Sequence, residues 1–275
     1  MCAVAALIQP RLLEALVALL VLGAAPASAQ LTVSPTYLLF DDAVSTKAIT
    51  VQNADRKEQV FRVSLIDLRM LPDGKMVRAE PPAANEHFAS GMVRFAPREI
   101  VLAPGASEVV RLQVPPPGRR PAGEYRTHVL VQQVPYAQAL GASPFAPEAG
   151  VSLDLQAVFG VAVPLIMRER GMPGAVAIAG IKLVPTPDDH PAVALALERS
   201  GERSVRGELA LLLDGETIET VDGVALYAPA HRRDMVLALP SSVPPIAGHR
   251  LEARFHETET AEGENTLEAK MELAQ

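Results

Sequence analysis

"LLLDGETIE", residues 211–219, sets the dipeptide Asp214-Gly215 between flanks of alternating apolar and polar residues. A two-residue hairpin turn needs positive φ at both central positions, and Asp-Gly is among the few pairs that adopt it cheaply. The stretch therefore reads as two antiparallel strands. Around it lie further strand-length pieces rich in Val, Ala, Leu and Ile: "AVAIAGIKLV" (175–184), "AVALALERSG" (192–201), "RRDMVLALP" (232–240) and "HRLEARFHE" (249–257). "NTLEAKMELA" (265–274) joins them, with a short helix as the alternative because Glu, Ala, Lys and Met all favour one.

The first half uses the same vocabulary. "KAITVQN" (47–53), "QVFRVSLIDLRM" (59–70), "GMVRFAPREIVLAPGASEVVRLQV" (91–114) and "EYRTHVLVQQV" (124–134) are short, β-branched and alternating. The turns "PDG" (72–74) and "PGA" (104–106) supply the fixed-φ proline and positive-φ glycine of tight reversals. No run sustains a helical period. The expectation is an all-β chain of two tandem immunoglobulin-like β-sandwich domains, 30–168 and 169–275.

Residues 1–29 read as a secretory signal peptide. Arg11 precedes an apolar run from Leu16 to Ala25 that is too short to span a bilayer, and Ala27-Ser28-Ala29 forms a cleavage site. The expected compartment is the periplasm, with no stable membrane insertion. The single cysteine, Cys2, lies inside that segment, so no disulfide framework is expected. The roughly 245 residues that remain are enough for two cores.

Charge excludes some functions. Against 25 Lys and Arg stand 32 Asp and Glu, without a basic run, so nucleic acid is not an expected partner. The six histidines are scattered without metal-ligand spacing, no serine sits in a nucleophile-elbow frame, and no phosphate-cradling glycine loop precedes a helix. The chain reads as a non-enzyme, without cofactor or metal.

One stretch stands apart. "VSLDLQAVFGVAVPLI" (151–166) puts apolar residues at every odd position, directly after the aperiodic "PYAQALGASPFAPEAG" (135–150), which reads as a mobile loop over about 136–150. From Val151 to Val163 only Asp154 supplies a charge, whereas an exposed strand edge is normally blunted by charge or proline.

The order of segments resembles the periplasmic chaperones of pilus assembly, the PapD-like family. The matching stretches are "LTVSPTYLLFDD" (31–42), "MVRFAPREIVLAPGASEVVRLQV" (92–114), "PAGEYRTHVLVQQVP" (121–135) and "FGVAVPLIMR" (159–168). The resemblance implies donor-strand complementation: the chaperone lends strand 151–167 to an incomplete pilus (fimbrial) subunit and delivers it to an outer-membrane usher. On that basis Val151, Leu153, Leu155, Ala157, Phe159 and Val161 are the candidate subunit-binding side chains. Burying four of them would contribute on the order of 5–10 kcal/mol gross. The same edge could serve self-association.

The family's pattern also places two basic residues in the cleft between domains, to hold the subunit's terminal carboxylate. The matching positions here are Tyr37 and Ala162, both neutral. Tyr37, Arg126 and His128 are the candidate substitutes, the last two alternating on one face of "EYRTH". The departure leaves a second reading open, a divergent two-domain adhesion or interaction module without subunit binding.

Overall fold

The computed structural model describes residues 31–134, 159–185, 191–244, 246–261 and 266–273. Strands are numbered β1–β18 in chain order, and no helix occurs among the described residues.

The first sandwich pairs two sheets. One has the order β1 (Leu31–Ser34), β3 (Thr46–Asn53), β9 (Ser107–Gln113), β7 (Arg94–Ala96); the other runs β2 (Leu38–Phe40), β11 (Gly160–Met167), β10 (Tyr125–Val134), β4 (Gln59–Ile66), β8 (Glu99–Leu102). Alternation dictates which side chains meet. In β3, Ile49, Val51 and Asn53 are buried while Thr50 and Gln52 face solvent. Ile49 and Val51 join Phe40, Phe61, Val110, Leu112, Val129, Val131 and Leu165 in one core. Asn53 keeps its buried amide paired: Nδ2 donates to the carbonyls of Leu102 and Lys57, both at 2.8 Å, and Oδ1 accepts from Asp55 N at 3.0 Å.

The second sandwich has sheets β12 (Gly174–Pro185), β13 (Pro191–Gly201), β16 (Arg232–Ala238) and β15 (Glu216–Leu226), β14 (Val205–Leu213), β17 (Leu251–Glu257), β18 (Glu268–Glu272). Its core is aliphatic, built on Leu197, Leu209, Leu211, Leu226 and Leu251 around Phe255. The β14–β15 turn is the one read from sequence, with Asp214 at φ 52° and Gly215 at φ 90°. The helical alternative for 265–274 does not hold where the segment is described: β18 pairs with β17, and Ala269 and Met271 face the core while Glu268 and Glu272 face out.

The two sandwiches share apolar contacts. Tyr37, Leu39, Met70 and Ile166 of the first belong to the core cluster of the second. A hairpin of β5 (Leu68–Met70) and β6 (Met76–Arg78) reaches across, and the Pro72 carbonyl at its tip accepts a hydrogen bond from Asp234 N of β16 at 2.7 Å. Gly74, at φ 81°, lies so close to the Arg233 guanidinium that a Cβ there would come within 2.5 Å of Arg233 Nε.

Candidate functional site

The last strand of the first sandwich, β11, has unequal flanks. Along one side it pairs antiparallel with β10 over its whole length. On the other it pairs in parallel with β2, and only over Leu165–Met167. Residues 160–164 thus have no strand on that second flank among the described residues.

Hydrogen-bond alternation identifies which backbone groups are free. Gln133 N donates to Phe159 O at 2.9 Å, so that pair is hydrogen-bonded, and the alternation makes Val131/Val161 and Val129/Val163 the next bonded pairs. The N–H and C=O of Gly160 and Ala162 therefore turn outward without a strand partner, whereas the C=O of Pro164 is taken up by the start of the β2 pairing. Pro164 has no N–H to give, and it stands where none is needed for the β10 ladder.

Side chains on β11 divide in the same two-residue rhythm. Val163, Leu165 and Met167 are buried in the first core, with Val161 half-buried at its margin. Ile166 faces the second sandwich. Ala162 is exposed. Phe159, just before the strand, is 48% exposed, large for an aromatic without a partner surface. Of the candidate subunit-binding side chains, Val151, Leu153, Leu155 and Ala157 lie outside the described residues, as does the loop at 136–150.

Where β11 ends, a polar junction joins the sandwiches. Arg168 is fully buried; its main-chain N donates to Phe40 O at 3.0 Å, and its Nη1 donates to Ser204 O at 3.1 Å and stands 3.5 Å from Glu124 Oε2. Glu124 accepts the Ser204 N–H at 3.1 and 2.9 Å and the Ser204 hydroxyl as well. Ser204 Oγ in turn accepts from Ala228 N at 2.8 Å. Sequence reasoning did not single out Glu124 or Ser204. The available signal was weak: a polar residue directly before a strand at each position.

Tyr37 is buried beside this junction with the Arg206 guanidinium over its ring at 5.2 Å. Burial raises its phenol well above the ordinary value, and the Arg168 charge opposes that rise. Arg126 and His128 do share a strand face, but it is covered rather than solvated. Both contact Tyr227 of the second sandwich, Arg126 over the ring at 4.7 Å and His128 edge-on at 6.1 Å. Burial and the neighbouring Arg126 charge push the His128 imidazole down to about 3, so it is neutral across the physiological range.

Arg126 borders a cavity of about 490 Å³ between the sandwiches, which Asn85 and His87 line from one side and Arg199 and His231 from the other. Neither Tyr37 nor His128 lines it. Among the described residues no group of three or more His, Cys, Asp or Glu is placed to hold a metal ion.

No protein-family model matches the chain, and no curated protein matches it. Solved structures similar to it are periplasmic fimbrial chaperones with two immunoglobulin-like domains. One is the CsuC–CsuE chaperone–tip adhesion subunit pre-assembly complex of the archaic Csu pili of Acinetobacter baumannii, at 10% identity and TM-score 0.47, covering 88% of this chain and 98% of that one. Another is the chaperone YadV, at 12% identity and TM-score 0.45, covering 89% and 100%. A third is the Salmonella enterica SafA pilin in complex with the SafB chaperone, at 16% identity and TM-score 0.40, covering 89% and 97%.

Proposed function

We propose that this protein is a periplasmic chaperone that captures pilus subunits by strand addition and hands them to an outer-membrane usher. The observation that carries the reading is the open flank of β11 at residues 160–164, led by the exposed Phe159. A strand edge with free donors and acceptors is a template for a second chain. When that chain lacks a strand of its own, main-chain hydrogen bonds supply affinity and alternate side chains supply specificity. In the sequence, the apolar rhythm of 151–159 runs directly into residues 160–164. The signal peptide reading supplies the compartment. No catalytic step is part of this function.

The neutral residues at Tyr37 and Ala162 favour the second reading, an interaction module of the same fold that has lost subunit capture. One experiment separates the two. Co-expression with a pilus subunit encoded beside this gene gives a soluble 1:1 complex under the first reading, and the double variant Leu155→Asp, Phe159→Asp abolishes it while circular dichroism stays unchanged. Failure of the wild-type protein to retain any such subunit, or full retention by the double variant, removes strand donation.

A further inference from the structure

The faces that meet between the sandwiches exchange side chains. Arg126 of β10 lies over the Tyr227 ring of the second sandwich at 4.7 Å, and Arg206 of β14 lies over the Tyr37 ring of the first at 5.2 Å. Each sandwich thus buries one tyrosine under the other's guanidinium. Arg126 is 4% exposed, and its Nε and Nη1 have no hydrogen-bond acceptor. The ring face offsets part of the desolvation cost of that charge, which leaves little to offset a further one.

His128 stands two residues along β10 from Arg126, buried and edge-on to the same Tyr227 ring, with Nδ1 unpaired. The groups around it disfavour a proton. On its own strand, Arg126 repels a second positive charge. From β4 comes the Ile66 carbonyl, a contact that favours the imidazolium. Asp67, the next residue, is engaged by Ser90 at 2.6 Å and Thr127 at 2.7 Å. From β11 the cross-strand neighbour is the uncharged Pro164. From the second sandwich, Tyr227 carries the fields of Arg206 and Arg233 as well as that of Arg126. Of the acids that act on Arg126, Glu86 holds Arg69 and Glu124 serves Ser204.

We propose that His128 is an acid-operated latch: when it takes up a proton, the two sandwiches separate at this junction while each keeps its own fold. The closed junction holds the imidazole at a pKa of about 3, against the ordinary value of 6.5. Separation and unfolding both hydrate the ring and gain the same proton. Separation, however, gives up only the shared contacts at Tyr37, Leu39, Met70 and Ile166 and leaves the rest of each core intact, so it comes first. Linkage sets its size. The ratio of separated to closed molecules rises about 30-fold between pH 7.5 and pH 5, and about 250-fold by pH 4. The latch stands independently of the strand edge described above.

Two amides report the junction directly. Ser204 N–H donates to Glu124, and Asp234 N–H to the Pro72 carbonyl, each from one sandwich to the other. The test is hydrogen exchange of the mature chain followed by NMR from pH 7.5 to pH 5, corrected for the intrinsic pH dependence of exchange. Protection of both amides is expected to fall about 30-fold in the wild type and less than about threefold in His128→Gln. The amides of Val131 and Leu211, inside the two cores, are expected to stay at least about tenfold better protected than either. Asp234, whose acceptor is a carbonyl, separates opening of the junction from protonation of Glu124. Protection at Ser204 and Asp234 that does not change with pH in the wild type overturns the proposal even if the variant fails to fold. An equal fall in a folded His128→Gln overturns it too, and so does exchange of the junction amides no faster than that of the cores, which would mean that only complete unfolding exposes them.

Discussion

The carboxylate of Glu124, directly ahead of β10, accepts the main-chain N–H of Ser204, directly ahead of β14, at 3.1 and 2.9 Å. One acidic side chain of the first sandwich thereby satisfies a strand entrance of the second, with Arg168 Nη1 at 3.5 Å. Removing one partner from a buried charged network leaves the others desolvated and uncompensated. Glu124→Ala is expected to lower stability by about 3 kcal/mol, read as a shift in the urea midpoint. A loss below about 1 kcal/mol would show the junction to be an ordinary surface-strength contact.

His128 makes stability depend on pH. Its folded pKa, about 3, lies below the unfolded value of about 6.5, so between those limits the unfolded chain binds the extra proton. Stability from this residue is complete above about pH 6.5 and falls as the pH drops toward 3, with a limiting slope of about 1.4 kcal/mol per pH unit. His128→Gln, which keeps a polar side chain without the titration, is expected to flatten that part of the profile. Chemical unfolding at pH 7, 6, 5 and 4 measures it; parallel profiles for the two proteins would exclude His128 as the source.

The β5–β6 hairpin should couple the unfolding of the two sandwiches. Met70 is buried in the second core although it belongs to a first-half strand, and the Pro72 carbonyl fixes the tip to Asp234 N. Met70→Ala removes a buried side chain worth about 2–4 kcal/mol. The calorimetric transition is expected to broaden or split in that variant, because the sandwiches lose part of their shared surface. A single transition, shifted but equally sharp, would mean that the remaining contacts at Tyr37, Leu39 and Ile166 suffice.

The legible parts of this fold were those written locally. Asp214-Gly215 announced its turn because few residue pairs accept two positive φ angles in succession, and Leu267, Ala269, Met271 and Leu273 carried the period of a strand beneath a helix-prone composition. Arg126 and His128 could be placed on one strand face, but not beneath a second domain. Burial there comes from Tyr227, about 100 residues away, and no local pattern encodes that meeting. The Glu124–Ser204 contact was hidden for the same reason, being a match between two strand entrances that only the packing of sandwiches brings together.

Two glycines should differ in cost for different reasons. Gly215 has open space around its Cα, so Gly215→Ala suffers only the positive φ, about 1 kcal/mol. At Gly207 a Cβ would meet His256 O at 2.1 Å and Glu257 Cα at 2.8 Å, backbone atoms that cannot swing aside. Gly207→Ala must push β14 and β17 apart, at a cost of about 3 kcal/mol or more. Thermal unfolding of both variants checks the ranking, and equal Tm values would mean that the strands separate more easily than their ladder implies.

A proline placed at position 162 isolates the free edge of β11 from its paired one. Ala162 is out of phase with the bonded pairs Val131/Val161 and Val129/Val163, so its N–H points away from β10 and toward any incoming strand. Ala162→Pro deletes that donor without removing a bond within the sandwich. Val161, extended in the strand, already meets the restriction that a following proline imposes. The cost to the fold is expected to stay near 1 kcal/mol, since edge strands tolerate proline where the N–H faces outward. Subunit capture, by contrast, should weaken at least tenfold, because the lost donor and the ring both face the incoming backbone. Ala162→Ser, which retains the N–H and adds little bulk, should bind like the wild type. Pull-down of a pilus subunit with the three proteins reads the difference, and retention by Ala162→Pro at the wild-type level would mean that the guest pairs elsewhere than along residues 160–164.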